Sequence, residues 1–234
     1  MSQPSIPRDL MPAIADSRPA KGRSEGGSRH VSDTIKRGLD VAASALLLLF
    51  LSPVFALIAL IVRADGGPML FGHPRVGVGG STFRCLKFRS MVVDADRRLQ
   101  EHQAANPEAA AEWRERRKLA RDPRITRFGA FLRATSLDEL PQLLNVLRGD
   151  MSLVGPRPVV QEELDQHYGP VGTAAYLAQR PGITGLWQIS GRSDTSYRQR
   201  VALDTRYAEE RSLLGDLRIL IATVPSVLAR RGAM

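Results

Sequence analysis

Cysteine is almost absent from this 234-residue chain, in which Cys85 is the only one. A single cysteine excludes an intrachain disulfide framework and is typical of a protein whose functional part meets a reducing compartment. Histidine is also scarce, with four residues and no spacing of the kind that binds zinc. Any metal is therefore expected to be held by oxygen ligands.

Aromatic residues make up only 6% of the sequence, and no recognisable nucleic-acid-reading motif is present. We therefore expect no nucleic-acid partner, although the formal net charge is +9 and the pI is about 10.5. An excess of positive charge indicates a polyanionic partner. An anionic lipid surface and a phosphorylated small molecule both meet that description.

Charge is missing altogether from residues 41–62, a run of 22 mostly apolar residues. A helix of this length can cross a hydrocarbon core of roughly 30 Å, so the run predicts a membrane segment. Its distance from the N-terminus and the lack of an A-x-A site argue against a signal peptide. Residues 1–32 are polar and without apolar periodicity, which predicts a disordered tail.

Ser52 and Pro53 interrupt the membrane run near its middle. Proline removes a backbone hydrogen bond and kinks a helix, while the Ser52 hydroxyl can bond a carbonyl freed at the bend. Both flanks of the run are basic, with Lys36 and Arg37 before it and Arg63, Arg75 and Arg84 after it. Two positive flanks favour a re-entrant helix whose ends both lie on the cytoplasmic side, and a kinked spanning helix is the alternative.

A glycine cluster at Gly77, Gly79 and Gly80 separates two short apolar runs and predicts a β-hairpin between residues 66 and 91. Its second strand is predicted to present Arg84, Lys87 and Arg89. These cations either form a solvated strand face that protects a sheet edge, or bind phosphate.

An acid pair, Asp138 and Glu139, stands directly before Pro141 and an apolar stripe with helical spacing. The stripe consists of Leu140, Leu143, Leu144 and Leu147. It predicts a helix that ends at Gly149 and has Pro141 in its first turn, which places one of the acids at the helix cap. The acids then either only complement the helix dipole or take part in chemistry.

Arg157 lies between Pro156 and Pro158, and the fixed φ angles of the two prolines hold its guanidinium on a stiff loop. Arg133 stands five residues before Asp138. Ionised acids among cations, together with a divalent metal, suit phosphoryl chemistry on a nucleotide-linked substrate.

Five long motifs follow one another in the chain: KRGLDVAASALLLLFLSPVFALIAL, RVGVGGSTFRCLKFRSM, RFGAFLRATSLDELPQLLNVLRGDMSLVGPRP, RPGITGLWQISGR and SLLGDLRILIATVPSVLARRGAM. On these motifs, residues 33–234 resemble the bacterial sugar transferases called monotopic phosphoglycosyl transferases. The sequence is most similar to the short exopolysaccharide-type undecaprenyl-phosphate galactose or glucose phosphotransferases.

The resemblance implies an enzyme that moves a hexose-1-phosphate from a UDP-hexose to undecaprenyl phosphate and so initiates exopolysaccharide or other surface glycan synthesis. It implies that Asp138 is the nucleophile of an aspartyl phosphosugar intermediate. Glu139 would be its dyad partner, and both acids would place Mg²⁺. No residue identifies the sugar of the donor. Galactose or glucose is expected. The alternative is a non-catalytic membrane-anchored scaffold of a polysaccharide assembly complex.

Four basic residues are implied as substrate-binding. Arg133 and Arg157 match arginines of the family that are associated with the phosphate or the nucleotide. Lys87 and Arg89 match a basic motif near the phosphates.

The implied fold is α+β and mostly α, with an N-terminal re-entrant membrane helix broken at Ser52 and Pro53, a small β-hairpin and a helical catalytic domain with interfacial helices. The expected divisions are the tail (1–32), the membrane helix (33–66) and a membrane-associated catalytic domain (67–234). The expected location is the cytoplasmic face of the bacterial inner membrane, with membrane lipids as partners and a homodimer among the assemblies allowed. A C-terminal apolar stripe is expected at the membrane interface, and packing in the core is the alternative. It is formed by Leu217, Leu220, Ile221, Val224 and Leu228.

Overall fold

The computed structural model describes residues 26–116, 118–190 and 196–228. The first 25 residues of the predicted tail, residues 191–192 of the fourth motif and residues 229–234 of the fifth lie outside these ranges. The described chain is mostly helical and contains four short strands, so the α+β, mostly α prediction is confirmed.

Helix α1 spans Gly26–Arg63 and contains Pro53. It begins inside the segment predicted as a disordered tail, because residues 26–32 continue the helix toward the N-terminus. Residues Ser32–Arg63 are long and apolar enough to cross a membrane by length and composition. The Ser52 hydroxyl donates a 2.8 Å hydrogen bond to the Leu49 carbonyl, as expected beside the proline.

The predicted β-hairpin is present, with β1 at Leu70–Val76 and β2 at Thr82–Phe88. The strands pair antiparallel, from Leu70 opposite Phe88 to Val76 opposite Thr82. A 3-10 turn at Val78–Gly80 joins them, with φ of +67° at Gly79 and +83° at Gly80. Residues that carry a Cβ atom rarely adopt these positive φ angles, so the turn needs glycine at both positions.

The helices after the hairpin are α2 (Ala95–Ala105), α3 (Pro107–Arg116), α4 (Arg127–Thr135) and α5 (Gln142–Arg148). Strand β3 (Ser152–Val154) precedes α6 (Gln161–His167) and α7 (Gly169–Leu177). Strand β4 (Gly182–Thr184) pairs parallel with β3 and is followed by α8 (Leu186–Ile189), α9 (Tyr197–Glu210) and α10 (Leu213–Leu228).

The prediction that an acid caps the helix of the leucine stripe is wrong. Pro141 is the residue before α5, has helical angles (φ −62°, ψ −15°), and no side chain caps the helix there. The acids instead lie in a 3-10 turn at Leu137–Glu139 that leads into α5. Proline tolerates this helical path because an N–H at the residue before the helix would have no intrahelical partner. Gly149 ends α5 at φ +96°, as predicted.

Three clusters of buried apolar side chains form the core. The largest joins β2, α5, β3, α9 and α10. A second joins the end of β1 to α6 and α7, and a third joins the C-terminal part of α1 to β2 and α4. In the predicted stripe of α5 only Leu143 is buried, while Leu140, Leu144 and Leu147 are half-buried.

Helix α10 leaves much of its predicted apolar stripe uncovered. Leu217, Ile221 and Val224 are 52%, 64% and 59% exposed, whereas Leu220 packs against the largest core cluster. The side chain of Leu228 lies outside the described part of the chain.

Candidate active site

The acid pair lies at the junction of α4 and α5. Ser136, the residue after α4, has φ +57° and redirects the chain into the 3-10 turn that carries Asp138 and Glu139. Asp138 is buried, with 7% of its surface exposed, and Glu139 is half-buried. The turn thus places one acid inside the domain and its neighbour nearer the surface.

Lys87 reaches the acid pair from β2. Its Nζ lies 2.6 Å from Oε1 of Glu139 and 3.6 Å from Oδ2 of Asp138. Asn145 of α5 fixes the strand on that side, because its side chain accepts a 2.9 Å bond from the Leu86 amide and donates one of 2.9 Å to the Arg84 carbonyl. Strand and helix are therefore bound together on the N-terminal side of Lys87.

Burial and the lysine act in opposite directions on the acid pair. Burial raises the pKa of Asp138 above 3.8, and the attraction of Lys87 only partly opposes that rise. Burial alone would lower the pKa of Lys87, but Glu139 and Asp138 together raise it above 10.5. Lys87 thus remains an ammonium group at neutral pH beside a poorly hydrated carboxyl group.

Arg133, in the last turn of α4, approaches Asp138 from a second direction. Its Nε donates a 2.8 Å hydrogen bond to the Ser90 hydroxyl, which fixes the guanidinium. Burial lowers the pKa of Arg133 from 12.5, and the charge of Asp138 opposes this change. The arginine therefore adds positive potential at the acid pair without a direct ion pair.

Arg157 follows β3 and approaches the site from the side of Glu139. Its guanidinium carbon lies 5.0 Å from the ring centroid of Trp187, a cation–π distance. The side chain is exposed by surface area, yet desolvation by neighbouring protein atoms lowers its pKa from 12.5. Glu139 is the main charge that opposes this lowering, so Arg157 and the acid pair belong to one electrostatic cluster.

Arg89 is the predicted site residue that the structure does not bring to the acids. It ion-pairs with Asp65 and donates hydrogen bonds of 2.7 Å to the Val62 carbonyl and 2.8 Å to the Pro68 carbonyl. Arg89 lies one residue beyond the end of β2, where the alternation of strand side chains no longer applies. It holds the end of α1 against the hairpin instead.

Four residues of this region are not predicted as site residues by the sequence: Arg75, Glu163, Trp187 and Arg200. Arg200 of α9 is 6% exposed, lies 5.1 Å from the Trp187 ring centroid and is 3.7 Å from Oε2 of Glu163. Trp187 lies in the motif RPGITGLWQISGR, which could have indicated that this tryptophan belongs to the site. Nothing in the local sequence pairs Arg200 with Arg157, because only tertiary packing joins α9 to the loop after β3.

Known proteins resemble this chain over most of its length. The family model described as "Bacterial sugar transferase" matches residues 31–230. The "Exopolysaccharide production protein ExoY" of Sinorhizobium fredii is 52% identical over 209 residues, which cover 89% of this chain and 92% of that protein.

Two further relatives carry more specific names. The "Undecaprenyl-phosphate galactose phosphotransferase" of Salmonella typhimurium is 48% identical, over 88% of this chain and 43% of that protein. The "UDP-glucose:undecaprenyl-phosphate glucose-1-phosphate transferase" of Caulobacter vibrioides is 45% identical, over 86% of this chain and 72% of that protein.

Proposed function

Since the chain belongs to the bacterial sugar transferase family, and is thus a transferase, we propose that it moves a hexose-1-phosphate from a UDP-hexose to undecaprenyl phosphate. The acceptor is supported by the names of the Salmonella and Caulobacter relatives, and the UDP-linked donor by the name of the latter. These names also make galactose and glucose the first sugars to test. The product would begin the assembly of an exopolysaccharide or another surface glycan.

The main support for the proposal is the environment of Asp138, a buried carboxylate that lies near the positive charges of Lys87 and Arg133. In the first half-reaction a carboxylate oxygen of Asp138 attacks the β-phosphorus of the donor. The bond from that phosphorus to the bridging oxygen breaks, its electron pair stays on that oxygen, and UMP leaves. A covalent aspartyl phosphosugar remains on the enzyme.

The second half-reaction returns Asp138 to its starting state. An oxygen of undecaprenyl phosphate attacks the phosphorus of the intermediate, and the Asp138–phosphorus bond breaks with its electron pair returning to the carboxylate. The product is the undecaprenyl diphosphate sugar. Lys87 and Arg133 stabilise the negative charge on the transferred phosphoryl group in both steps, since that charge spreads over its oxygens.

Glu139 holds Lys87 in place through the 2.6 Å ion pair. The same two acids, Asp138 and Glu139, suit Mg²⁺, which proteins commonly bind through one or two carboxylates together with substrate phosphates. The described residues contain no cluster of three or more metal-ligating side chains, so water and phosphate oxygens of the substrate would supply the remaining ligands. The ion would supply positive charge that neutralises the diphosphate.

The attachments of α1 support the re-entrant interpretation of the membrane helix. Near its N-terminal end Lys36 lies 2.7 Å from Asp216, and Asp33 accepts a 2.9 Å hydrogen bond from Arg211. Near the other end Asp65 binds Arg89. A straight helix between residues 33 and 65 would be about 48 Å long, more than the roughly 30 Å of a hydrocarbon core. Both ends contact the same domain, and this supports a re-entrant helix over one that spans the bilayer.

The middle of α1 has the surface expected of a segment inserted in lipid. Leu49 is 73% exposed and Phe50 is 80% exposed, directly before Ser52 and Pro53. The uncovered stripe of α10, defined above, would lie at the headgroups. A donor in the cytoplasm and a lipid acceptor could then both reach Asp138, on the cytoplasmic face of the inner membrane.

The experiment that tests the function measures UMP release from a panel of UDP-sugars by the full chain in detergent or nanodiscs, with and without undecaprenyl phosphate. We expect release with at least one UDP-hexose, dependence of turnover on the lipid phosphate, and no turnover by Asp138→Asn. If the folded wild-type protein releases no UMP from any UDP-sugar, the non-catalytic scaffold is the better interpretation.

A further inference from the structure

Arg200 has hydrogen-bonding capacity that the described residues leave unused. The side chain is 6% exposed, and neither Nε nor Nη2 has a hydrogen-bond partner in the described part of the chain. Buried guanidinium groups without hydrogen-bond partners are costly, because the charged group has lost water without a replacement. An anion that accepted hydrogen bonds from these two nitrogens would remove that cost.

A second arginine stands beside Arg200 and strengthens the local positive potential. Arg157 and Arg200 lie 5.0 and 5.1 Å from the centroid of the same Trp187 ring. The charge of Arg200, and that of Arg75, contribute to the lowered pKa of Arg157, as expected for like charges held close together. Glu163 offsets only part of this charge, since its Oε2 lies 3.7 Å from Nη2 of Arg200.

The position of Arg200 is fixed before any ligand arrives. One helical turn further along α9, Asp204 accepts a 2.8 Å hydrogen bond from the buried Tyr168 hydroxyl. The N-terminus of α9 is closed by a capping box between Ser196 and Gln199. The Arg200 guanidinium itself lies 5.1 Å from the Trp187 ring centroid and 5.4 Å from that of Tyr197. It is therefore preorganised, so binding an anion costs little side-chain entropy.

The order of charges along the site identifies the anion. Lys87 Nζ lies 2.6 Å from Glu139 Oε1 and 3.6 Å from Asp138 Oδ2. The charge of Glu139 also acts on Arg157, which lies over the Trp187 ring together with Arg200. Arg157 thus connects the acid pair to Arg200. In an in-line displacement at the β-phosphorus the leaving oxygen lies opposite the attacking carboxylate, so the leaving phosphate needs cations beyond the acid pair.

We propose that Arg200 and Arg157 form an anion subsite that binds the phosphate of the departing UMP. This inference rests on the proposed function for the identity of the leaving group. When the bond between the β-phosphorus and the bridging oxygen breaks, the electron pair stays on UMP, and the two guanidinium groups stabilise that charge. Arg200 is the new member of the site, and its Nε and Nη2 are the donors.

Binding of UMP and of uridine to the full chain tests the subsite, by calorimetry on detergent-solubilised protein in Mg²⁺ buffer. We expect Arg200→Gln to weaken UMP binding about 10- to 100-fold, because it removes charge-assisted hydrogen bonds, and to leave uridine binding unchanged. Equal weakening of UMP and uridine would assign Arg200 to the base or to folding and would overturn the subsite. Unchanged UMP binding would overturn it as well.

Glu163→Gln is the matched control and does not depend on whether Arg200→Gln folds. If Arg200 serves only its ion pair with Glu163, removing either partner should have the same effect. If Arg200 binds phosphate, Glu163→Gln removes a competing carboxylate, and UMP should bind about 3- to 10-fold more tightly. Unchanged or weaker UMP binding in this variant would contradict the subsite.

Turnover separates this inference from the proposed function. Wild-type UMP release from a UDP-hexose together with unaltered UMP binding in Arg200→Gln would leave the function standing and remove the subsite. No wild-type turnover with any UDP-sugar would remove the function, and with it the identification of the leaving UMP.

Discussion

Lys87 Nζ lies 2.6 Å from Glu139 Oε1, so the second acid of the pair is bound to a strand 52 positions earlier in the chain. The first acid, Asp138, lies 3.6 Å from the same ammonium group and is the more buried of the two. The two carboxyl groups of adjacent residues thus share one ammonium group but differ in burial. This difference suits the proposed roles, in which Asp138 reacts and Glu139 holds Lys87.

Asp138→Asn should abolish multiple turnover and leave the fold intact, because the amide keeps the size of the side chain and lacks nucleophilic charge. The wild type, given a labelled UDP-sugar without acceptor, should retain a phosphosugar on the protein. Intact-mass measurement after rapid quenching detects that adduct. Sustained turnover in the variant would exclude Asp138 as nucleophile, and absence of the adduct at every quench time would argue against a covalent intermediate.

Glu139→Gln should shift the pH dependence of activity. The charge of Glu139 contributes to the raised pKa of Asp138, so its removal should lower that pKa. Asp138 then stays ionised to lower pH, and the acid limb of the kcat/KM profile should move to lower pH even if the maximum falls. An acid limb that stays in place or moves to higher pH would show that Glu139 does not act on Asp138 through charge.

Arg157→Lys should weaken binding of the UDP-sugar by about 1 to 3 kcal/mol if the contact is bidentate, because lysine keeps the charge but loses the planar fork. Arg89→Lys is the matched control, since Arg89 binds the end of α1 rather than the acid pair. We expect it to lower thermal stability and to leave KM for the donor unchanged. Unchanged KM and kcat in Arg157→Lys would assign Arg157 to structure.

Cysteine labelling tests the topology of α1 in a Cys85→Ser background. Ser24→Cys and Ala64→Cys should both resist a membrane-impermeant reagent in intact cells and react after lysis. Position 64 is exposed, whereas a side chain at Gly67 would collide with Val93 and Arg89. Ready labelling of position 24 from outside would reject the re-entrant helix.

Replacing Ser52 and Pro53 is the complementary experiment. Ser52→Ala with Pro53→Leu should favour a straight helix that spans the bilayer, because a leucine amide restores the hydrogen bond that proline cannot make. Part of the population should then label at position 24 from outside, with lower activity. The same labelling pattern as the wild type would show that the attachments at both ends of α1, rather than the proline, determine the topology.

Asp204 should make folding stability depend on pH. Burial raises its pKa from 3.8 to about 6 in the folded protein. The folded state then holds the proton more tightly than the unfolded state, so this contribution is complete below pH 3.8 and is lost as pH rises through about 6. Two pKa units correspond to roughly 3 kcal/mol.

Asp204→Asn should remove this dependence, because the amide stays neutral and its oxygen can still accept from Tyr168. Thermal unfolding between pH 4 and pH 7 should show the variant gaining stability relative to wild type as pH rises. Asp96→Asn, at an exposed position of α2, controls for the loss of one negative charge. A constant difference between Asp204→Asn and wild type across this range would contradict the prediction.

Local patterns allowed the hairpin and the end of α5 to be predicted, because glycines at the turn and at Gly149 follow backbone rules of a few residues. The position of Pro141 was harder to predict, since a proline can stand in a first turn or directly before it. Arg89 was misplaced because β2 ends one residue earlier than the pattern indicated. Arg200 could not be found, because its neighbours Arg157 and Trp187 come from other parts of the chain.

The hydrogen bonds made by the Asn145 side chain restrict which amino acids fit at position 145. Its carboxamide offers one acceptor to the Leu86 amide and one donor to the Arg84 carbonyl, as the backbone of a third strand would. Aspartate would turn an oxygen toward that carbonyl, and glutamine, longer by one methylene, would push α5 from the hairpin. We therefore expect position 145 to require asparagine, because its buried side chain must both accept and donate a hydrogen bond at this length.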